Sequence, residues 1–321
     1  MPAEDLSDAV APGGAVRVLD APGTQKALSD SAALTAALSR ALVAVARGEA
    51  SVPPRIAARA TAGLLGAMPG YVPGLGLAAK LITVFADPAR PGRSTHRGVV
   101  VVFDERDGRP LAVLDAEPLT AIRTAATSIL AFRALARPDA RRVTVVGTGT
   151  LAAAHLAQLA GDPDLSVTVA GRDPDRVRAL SERFGVAGAA SIESAVRAAD
   201  AVLCCTGAHE PVVLGEWLAP GTHISSVGGS QGPELDAATI AGAALFAEWD
   251  GAVAAAPPAG AHELQGVDPG RVTLLGAVLD GAHPGRGALG APQAELTVFK
   301  STGHAALDVA AASVAVAALA V

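Results

Sequence analysis

Rings are scarce in this sequence. Its 321 residues include two tryptophans, one tyrosine and six phenylalanines, while half of all residues are hydrophobic. A core must therefore be packed from alanine, valine and leucine. That supply suits helices laid on a parallel sheet, whose strands are continuous apolar runs. Cysteine is nearly absent as well. Cys204 and Cys205 are adjacent in the apolar run Ala201 to Thr206 and read as core residues. Two neighbouring thiols make neither a disulfide framework nor a metal-ligand spacing, so a reducing compartment and no metal are expected. Excess positive charge is missing too. The net charge of −6 leaves no basic field for nucleic acid. No apolar run is long and unbroken enough for a membrane span. The C-terminal run Val309 to Val321 is short and alanine-rich, and reads as a buried helix. The N-terminus lacks the basic flank and apolar block of a secretory signal, so a cytoplasmic location is expected.

What the chain does carry is a strand, tight turn, helix and strand between Arg141 and Arg172, RRVTVVGTGTLAAAHLAQLAGDPDLSVTVAGR. The β-branched run Val143 to Val146 leads into Gly147-Thr148-Gly149. A helix from Leu151 to about Ala160 follows, and Val167 to Val169 closes the unit. This is a βαβ unit of the kind that binds dinucleotides. Gly147 lets the chain turn, and Gly149 removes a side chain where a pyrophosphate would approach the backbone. Ala152 stands at the third small position, where helix and strand pack closely. The helix N-terminus offers free N–H groups and the positive end of its dipole. Gly147, Thr148, Gly149, Thr150 and Leu151 are the cofactor-contact candidates of this turn.

The end of the second strand discriminates between cofactors. An acidic residue there accepts from the ribose 2′-hydroxyl of NAD, whereas arginine accommodates the 2′-phosphate of NADP. Here the strand end reads Ala170-Gly171-Arg172-Asp173, with Arg176 one helical turn on. A guanidinium grips a phosphate through paired N–H donors. NADPH is therefore expected to be preferred, with NADH possible. The alternative is that Arg172 is solvated and Asp173 binds the ribose, although Asp173-Pro174 is also a plausible helix start.

In chain order, residues to about Gly14 read as a loose tail and Val16 to Leu19 as a short strand. Ser29 to about Gly48 reads as a helix capped by Ser29 or Ser31. Val52-Pro53-Pro54-Arg55 is an extended loop. Strand-like runs follow at Leu64–Pro69, Leu77–Phe85, Gly98–Phe103 and Pro110–Leu114, the last two joined by the turn Asp104–Gly108. Leu119 to Ala136 reads as a long helix. Beyond the βαβ unit, further strands are expected at Ala201–Thr206, Thr222–Val227, Leu245–Glu248 and Leu296–Lys300, with short helices at Ser191–Ala199 and Leu214–Leu218. Residues 250–292, rich in glycine, proline and alanine, are expected to wrap the surface. The helix Ala305 to Val321 closes the chain. The fold class is α/β: a Rossmann dinucleotide-binding domain over 121–303, and an α+β substrate and dimerisation domain built from 1–120 and 304–321.

Basic residues in the first part suggest what the second ligand is. A carboxylate bound in a dry pocket needs cations to offset its desolvation and fix its orientation. Arg55 ends a loop, Lys80 sits in an apolar strand and Arg123 lies on a helix. A lysine beside two arginines is expected to have a lowered pKa and to be able to donate a proton near neutral pH.

Taken together, Pro53-Pro54-Arg55, Lys80 to Phe85, Ala121 to Thr127, Gly147-Thr148-Gly149, Pro211 to Gly221, Val227 to Ser230, Pro233 to Asp236 and Thr297 to Gly303 resemble, in order and spacing, the ornithine cyclodeaminase/mu-crystallin family. The resemblance implies a homodimer acting on amino acids or cyclic imino acids. It also implies that Arg55, Lys80, Arg123 and Thr124 bind the substrate. Thr206, Val227, Lys300 and Ser301 then join Arg172 and Arg176 as cofactor contacts. Cyclodeaminases have an acidic residue after the late Gly-Gly, where this chain has Ser230, and a glutamate before Met-Pro, where it has Ala67. Both departures point away from the cyclodeaminases, and Ser230 and Arg172 resemble the ketimine reductases of the family. Asp87-Pro88 replaces the Pro-x-Asn common after the Val-Phe, a difference at the pocket edge. The expected activity is NAD(P)H-dependent reduction of a cyclic α-imino acid, with Lys80 or a water held by Ser230 as proton source. The alternatives are a cyclodeaminase-like or alanine dehydrogenase-like enzyme of amino acids, and a protein that binds NADPH and a small ligand without turnover.

Overall fold

The computed structural model describes residues 15–86, 94–291 and 295–319. The expected tail and the Asp87-Pro88 departure lie outside these residues. The chain divides into two units, residues 1–123 with 304–321 and residues 124–303, and each carries its own sheet.

The first unit is built on a six-stranded sheet. Its elements are β1 (Arg17–Leu19), α1 (Ala21–Ala27), α2 (Ser31–Ala46), β2 (Ile56–Ala60), β3 (Gly63–Val72), β4 (Gly76–Ala86), β5 (Ser94–Phe103) and β6 (Pro110–Asp115). The helix α3 (Ala116–Leu135) begins here, and α10 (Ala305–Ala317) returns from the chain end. The strand order is β1-β6-β5-β4-β3-β2, antiparallel except for β1 on β6. Helix α10 packs on β3, β4 and β5, and also against α2.

Strand alternation then sorts the side chains. Met68, Lys80, Val100 and Leu114 form one buried row across the sheet on the α10 side. Ile56, Ala67, Leu81 and Val99 form a row on the opposite side, followed by a second row of Pro69, Ala79, Val101, Val113 and Val18. Sequence reading placed the α2 cap on Ser29 or Ser31. The cap is Asp30, whose carboxylate accepts from the Ala33 N–H at 2.9 Å. Helix α1 was not foreseen. Asp20 caps it by accepting from Gly23 N, and Pro22 sits in its first turn, where no N–H is needed.

The second unit is an eight-stranded parallel sheet of order β13-β12-β14-β11-β10-β7-β8-β9. It comprises β7 (Arg142–Val146), α4 (Thr150–Leu159), β8 (Ser166–Ala170), α5 (Pro174–Phe184), β9 (Ala187–Gly188), α6 (Ile192–Arg197), β10 (Ala201–Cys204) and β11 (His223–Ser226). They are followed by α7 (Ala237–Gly242), β12 (Ala243–Ala247), α8 (Gly251–Ala254), β13 (Val272–Leu274), α9 (Leu275–Leu279) and β14 (Leu296–Lys300). The core is aliphatic, as the composition requires: Val143, Val145, Leu156, Leu159, Val169 and Leu203 are buried in one cluster, and Cys205 joins them. Both cysteines are free and buried. The expectation that residues 250–292 only wrap the surface is overturned. They supply the edge strand β13, and Ala252, Leu264 and Leu275 are buried. Each element in that stretch is five residues or shorter, too short to leave a periodic signal.

No single helix among the described residues is long and apolar enough to cross a membrane. Helix α4 also buries His155, whose Nδ1 lies 2.7 Å from the Leu151 carbonyl. Burial pulls its pKa down to about 4. The folded ring is then neutral where an unfolded chain would bind a proton. Stability is therefore lost as pH falls from about 6.5 toward 4, by on the order of 3 kcal/mol at this site. The acid-side fall in Tm is expected to shrink in His155→Leu. An unchanged dependence of Tm on pH between 4 and 7 would place the sensitivity elsewhere.

Candidate functional site

In the first unit, three elements bring two cations and one carboxylate together. Lys80 points from β4 toward α10, Arg123 comes from α3, and Asp308 lies in the first turn of α10. The Asp308 carboxylate is 3.0 Å from Lys80 Nζ and accepts a hydrogen bond from Arg123 Nε at 2.9 Å. All three side chains are 6% exposed or less, so water does little to screen them. Burial lowers the Lys80 pKa; Asp308 opposes that shift, while Arg123 and Arg55 reinforce it. Burial alone would raise the Asp308 pKa, but Lys80 and Arg123 outweigh it and hold the carboxylate below its ordinary range. The helix N-terminus favours the same charge. His304, the residue before α10, is buried, and its pKa is pulled down to about 4. Arg55 is exposed, and its charge acts on both Lys80 and His304.

The structure thus brings Lys80 and Arg123 together as read from sequence, with Thr124 buried beside Arg123 on α3. Asp308 was missed. Its signal was present: a single carboxylate in a helix otherwise made of alanine, valine, leucine and serine. Such a residue is rarely buried unless paired. Ala67 requires a correction. It pairs with Leu81 on the opposite face of the sheet from Lys80, so the missing glutamate there has no bearing on this cluster.

In the second unit, Gly147 closes the β7 turn at φ 135°, and a Cβ there would meet the Cys205 carbonyl oxygen at 2.9 Å. Gly149 is the N-cap of α4, with open space where its Cβ would be. The N–H groups of Thr150, Leu151 and Ala152 head the helix without intrahelical acceptors. This backbone cradle fits a pyrophosphate. Arg172 is exposed beyond the end of β8. Arg176 is also exposed and lies 3.6 Å from Asp173. Asp173 caps α5, accepting from the N–H groups of Asp175 and Arg176. The alternative ribose ligand is thus engaged in holding a helix.

The remaining cofactor candidates lie in a buried network at the strand ends. Glu234 accepts from Thr206 N at 2.6 Å, Thr206 Oγ1 at 2.8 Å, Ser226 Oγ at 2.7 Å and Gly228 N at 2.9 Å. Lys300 pairs with Glu263 at 2.9 Å and donates to Ser226 Oγ and the Gly228 carbonyl. Ser301 donates to Glu248, and the Val227 N–H is bonded to the Cys204 carbonyl. Thr206 and Lys300 therefore direct polar groups inward and hold the turn Val227–Ser230, whereas the Ser301 hydroxyl is spent on Glu248. Ser230 itself is exposed at the end of that turn. The glutamates 234, 248 and 263 carried no sequence signal beyond Pro233-Glu-Leu-Asp236.

A model of the ornithine cyclodeaminase/mu-crystallin family matches residues 19–318. The chain belongs to this family. It is 37% identical over 257 residues to a Delta(1)-pyrroline-2-carboxylate reductase of Paracoccus denitrificans, covering 76% of this chain and 79% of that one. It is 34% identical over 259 residues to the ketimine reductase mu-crystallin of Mus musculus, covering 78% and 79% of the two chains. Among solved structures, the Delta(1)-pyrroline-2-carboxylate reductase of Thermococcus litoralis, in complex with NADH and L-proline, is similar at a TM-score of 0.81 and 26% identity. That match covers 94% of this chain and 97% of the other. An archaeal alanine dehydrogenase dimer with bound NAD has a TM-score of 0.77 at 28% identity, covering 94% and 95%.

Proposed function

We propose that the protein is an NAD(P)H-dependent reductase of a cyclic α-imino acid of the pyrroline- or piperideine-2-carboxylate type. The observation that carries this reading is that Lys80 and Arg123 are buried together on the Asp308 carboxylate, a cationic site fit for a carboxylate. The sequence supports it as well: Ser230 is a hydroxyl at the position where ammonia expulsion would call for a carboxylate. The reductases among the relatives support the same reading. When bound, the reduced nicotinamide supplies a hydride. Arg123, Lys80 and Arg55 hold the substrate carboxylate, with Thr124 beside them, and so fix the C=N carbon for hydride addition. Lys80, or a water held by Ser230, gives the imine nitrogen its proton, and the product is the cyclic amino acid. The test is NAD(P)H consumption with a panel of imino acids, beside an ammonia assay with ornithine and lysine in the presence of NAD. Reduction without ammonia release is expected; ammonia release without reduction would instead favour a cyclodeaminase.

The preferred cofactor is NADPH, held by the turn from Gly147 to Leu151, with Arg172 and Arg176 toward the 2′-phosphate; NADH is the weaker alternative. Arg172→Asp is expected to raise the KM for NADPH about tenfold, the loss of one charge-assisted contact, and to leave NADH nearly unchanged. Equal kcat/KM for both cofactors in the unmodified protein would contradict the preference.

The working unit is a homodimer closed through the outer face of the six-stranded sheet. Ile56, Leu65, Leu77 and Val99 share that face, and each is 36–69% exposed in the single chain. A contiguous apolar sheet face calls for a cover. Val99→Glu, at an exposed position, is expected to give a folded monomer by light scattering. A persisting dimer would place the interface elsewhere. The free thiols suit a reducing compartment, and a cytoplasmic location is proposed.

A further inference from the structure

The grip described above leaves one group without a task, the carboxylate that both cations touch. We propose that Asp308 is a positioning residue that fixes the aim of Arg123 and keeps Lys80 protonated for the reaction. The geometry carries this. Asp308 meets Lys80 Nζ at 3.0 Å and Arg123 Nε at 2.9 Å. All three groups are buried, so no solvent replaces the carboxylate as counter-charge. An uncompensated buried cation is costly and sheds its proton if it can. Arginine cannot do so, whereas lysine can.

Lys80, Arg123 and Asp308 sum to one positive charge, and the exposed Arg55 adds a second, so the set stays cationic toward a substrate carboxylate. The groups acting on Lys80 are Asp308 from α10, Arg123 from α3 and Arg55 from the loop before β2. His304, at the head of α10, is influenced by Asp308, Arg123 and Arg55. Asp308 is the only negative group in this set.

The sign of the effect follows. Asp308 raises the Lys80 pKa, so neutralising it lowers that pKa. A step that needs the ammonium then fails at lower pH. The test is the titration of Lys80 by NMR of its ε-methylene in the full chain, without substrate, in wild type and Asp308→Asn. A fall of at least about one pH unit is expected, a tenfold change in protonated fraction. The alkaline limb of kcat for imine reduction should move down by the same amount, leaving a defect that grows as pH rises. The kinetic arm rests on the reductase reading, whereas the titration does not. If the wild type reduces no imino acid, the reading fails while the titration still decides the role of Asp308. An unmoved Lys80 titration, or a loss of kcat equal at every pH, would overturn the proposal and leave Asp308 a purely structural residue. If Asp308→Asn does not fold, Asp308→Glu carries the test. It retains the charge with a longer reach, so KM should rise with the limb in place, and a displaced limb would contradict the role.

Discussion

Arg123→Ala is expected to cut kcat/KM for imine reduction by about ten- to a hundredfold. The residue is 3% exposed and held in place by Asp308, so its contact with a substrate carboxylate would be made in a dry, fixed geometry. A charge-assisted hydrogen bond in such a setting contributes about 1.5–3 kcal/mol, or one to two decades in rate. Arg123→Lys should restore little, because an ammonium does not reproduce the planar fork. Lys80→Ala should differ in kind. As proton source, Lys80 affects the maximal rate, and its loss should remove the alkaline limb of the pH profile. As a carboxylate ligand alone, its loss would mainly raise KM. A KM effect with an intact pH profile would leave bound water as the donor. If neither substitution affects kinetics in a protein that still melts normally, the substrate binds elsewhere.

Glu234→Gln is the second large expectation, on stability. The carboxylate is fully buried and accepts four hydrogen bonds, two on each oxygen. A glutamine turns one side into an N–H₂ group that faces donors. At least one buried donor then loses its acceptor, and the loop from Val227 to Ser230 loses its anchor. The cost should be about 3 kcal/mol, in the range for breaking a buried charged contact. Denaturant unfolding would register this as a lower midpoint at unchanged slope. A loss under about 0.5 kcal/mol, the scale of an ordinary surface change, would show that water or a shifted loop satisfies the network.

The parts of this molecule that were legible in advance are those written in local sequence. The βαβ turn needs two glycines in a row of valines, and Gly147 indeed adopts a φ closed to other residues. The β4 strand announced a buried lysine because a charge in an apolar run has few places to go, and Lys80 is 5% exposed. Strand β14 was expected over Leu296–Lys300 and occupies those residues, although nothing local said that it would lie between β11 and β12. What stayed hidden depends on contacts distant in sequence. Asp308 meets Lys80 across more than two hundred residues, and Glu234 binds Thr206 across 28. Ala67 shows the converse failure. The resemblance to cyclodeaminases put a pocket glutamate at its position, whereas the register places it on the face away from Lys80.

The central claim is hydride addition to the carbon of a C=N bond beside a carboxylate. It is tested most directly by incubating the protein with NADPH deuterated at the transferring position of C4 and a cyclic imino acid such as piperideine-2-carboxylate. One deuterium on the α-carbon of the cyclic amino acid, with one NADPH oxidised per product and no ammonia formed, is the expected result. Unlabelled product, or no product from any imino acid while ornithine yields ammonia, would contradict it.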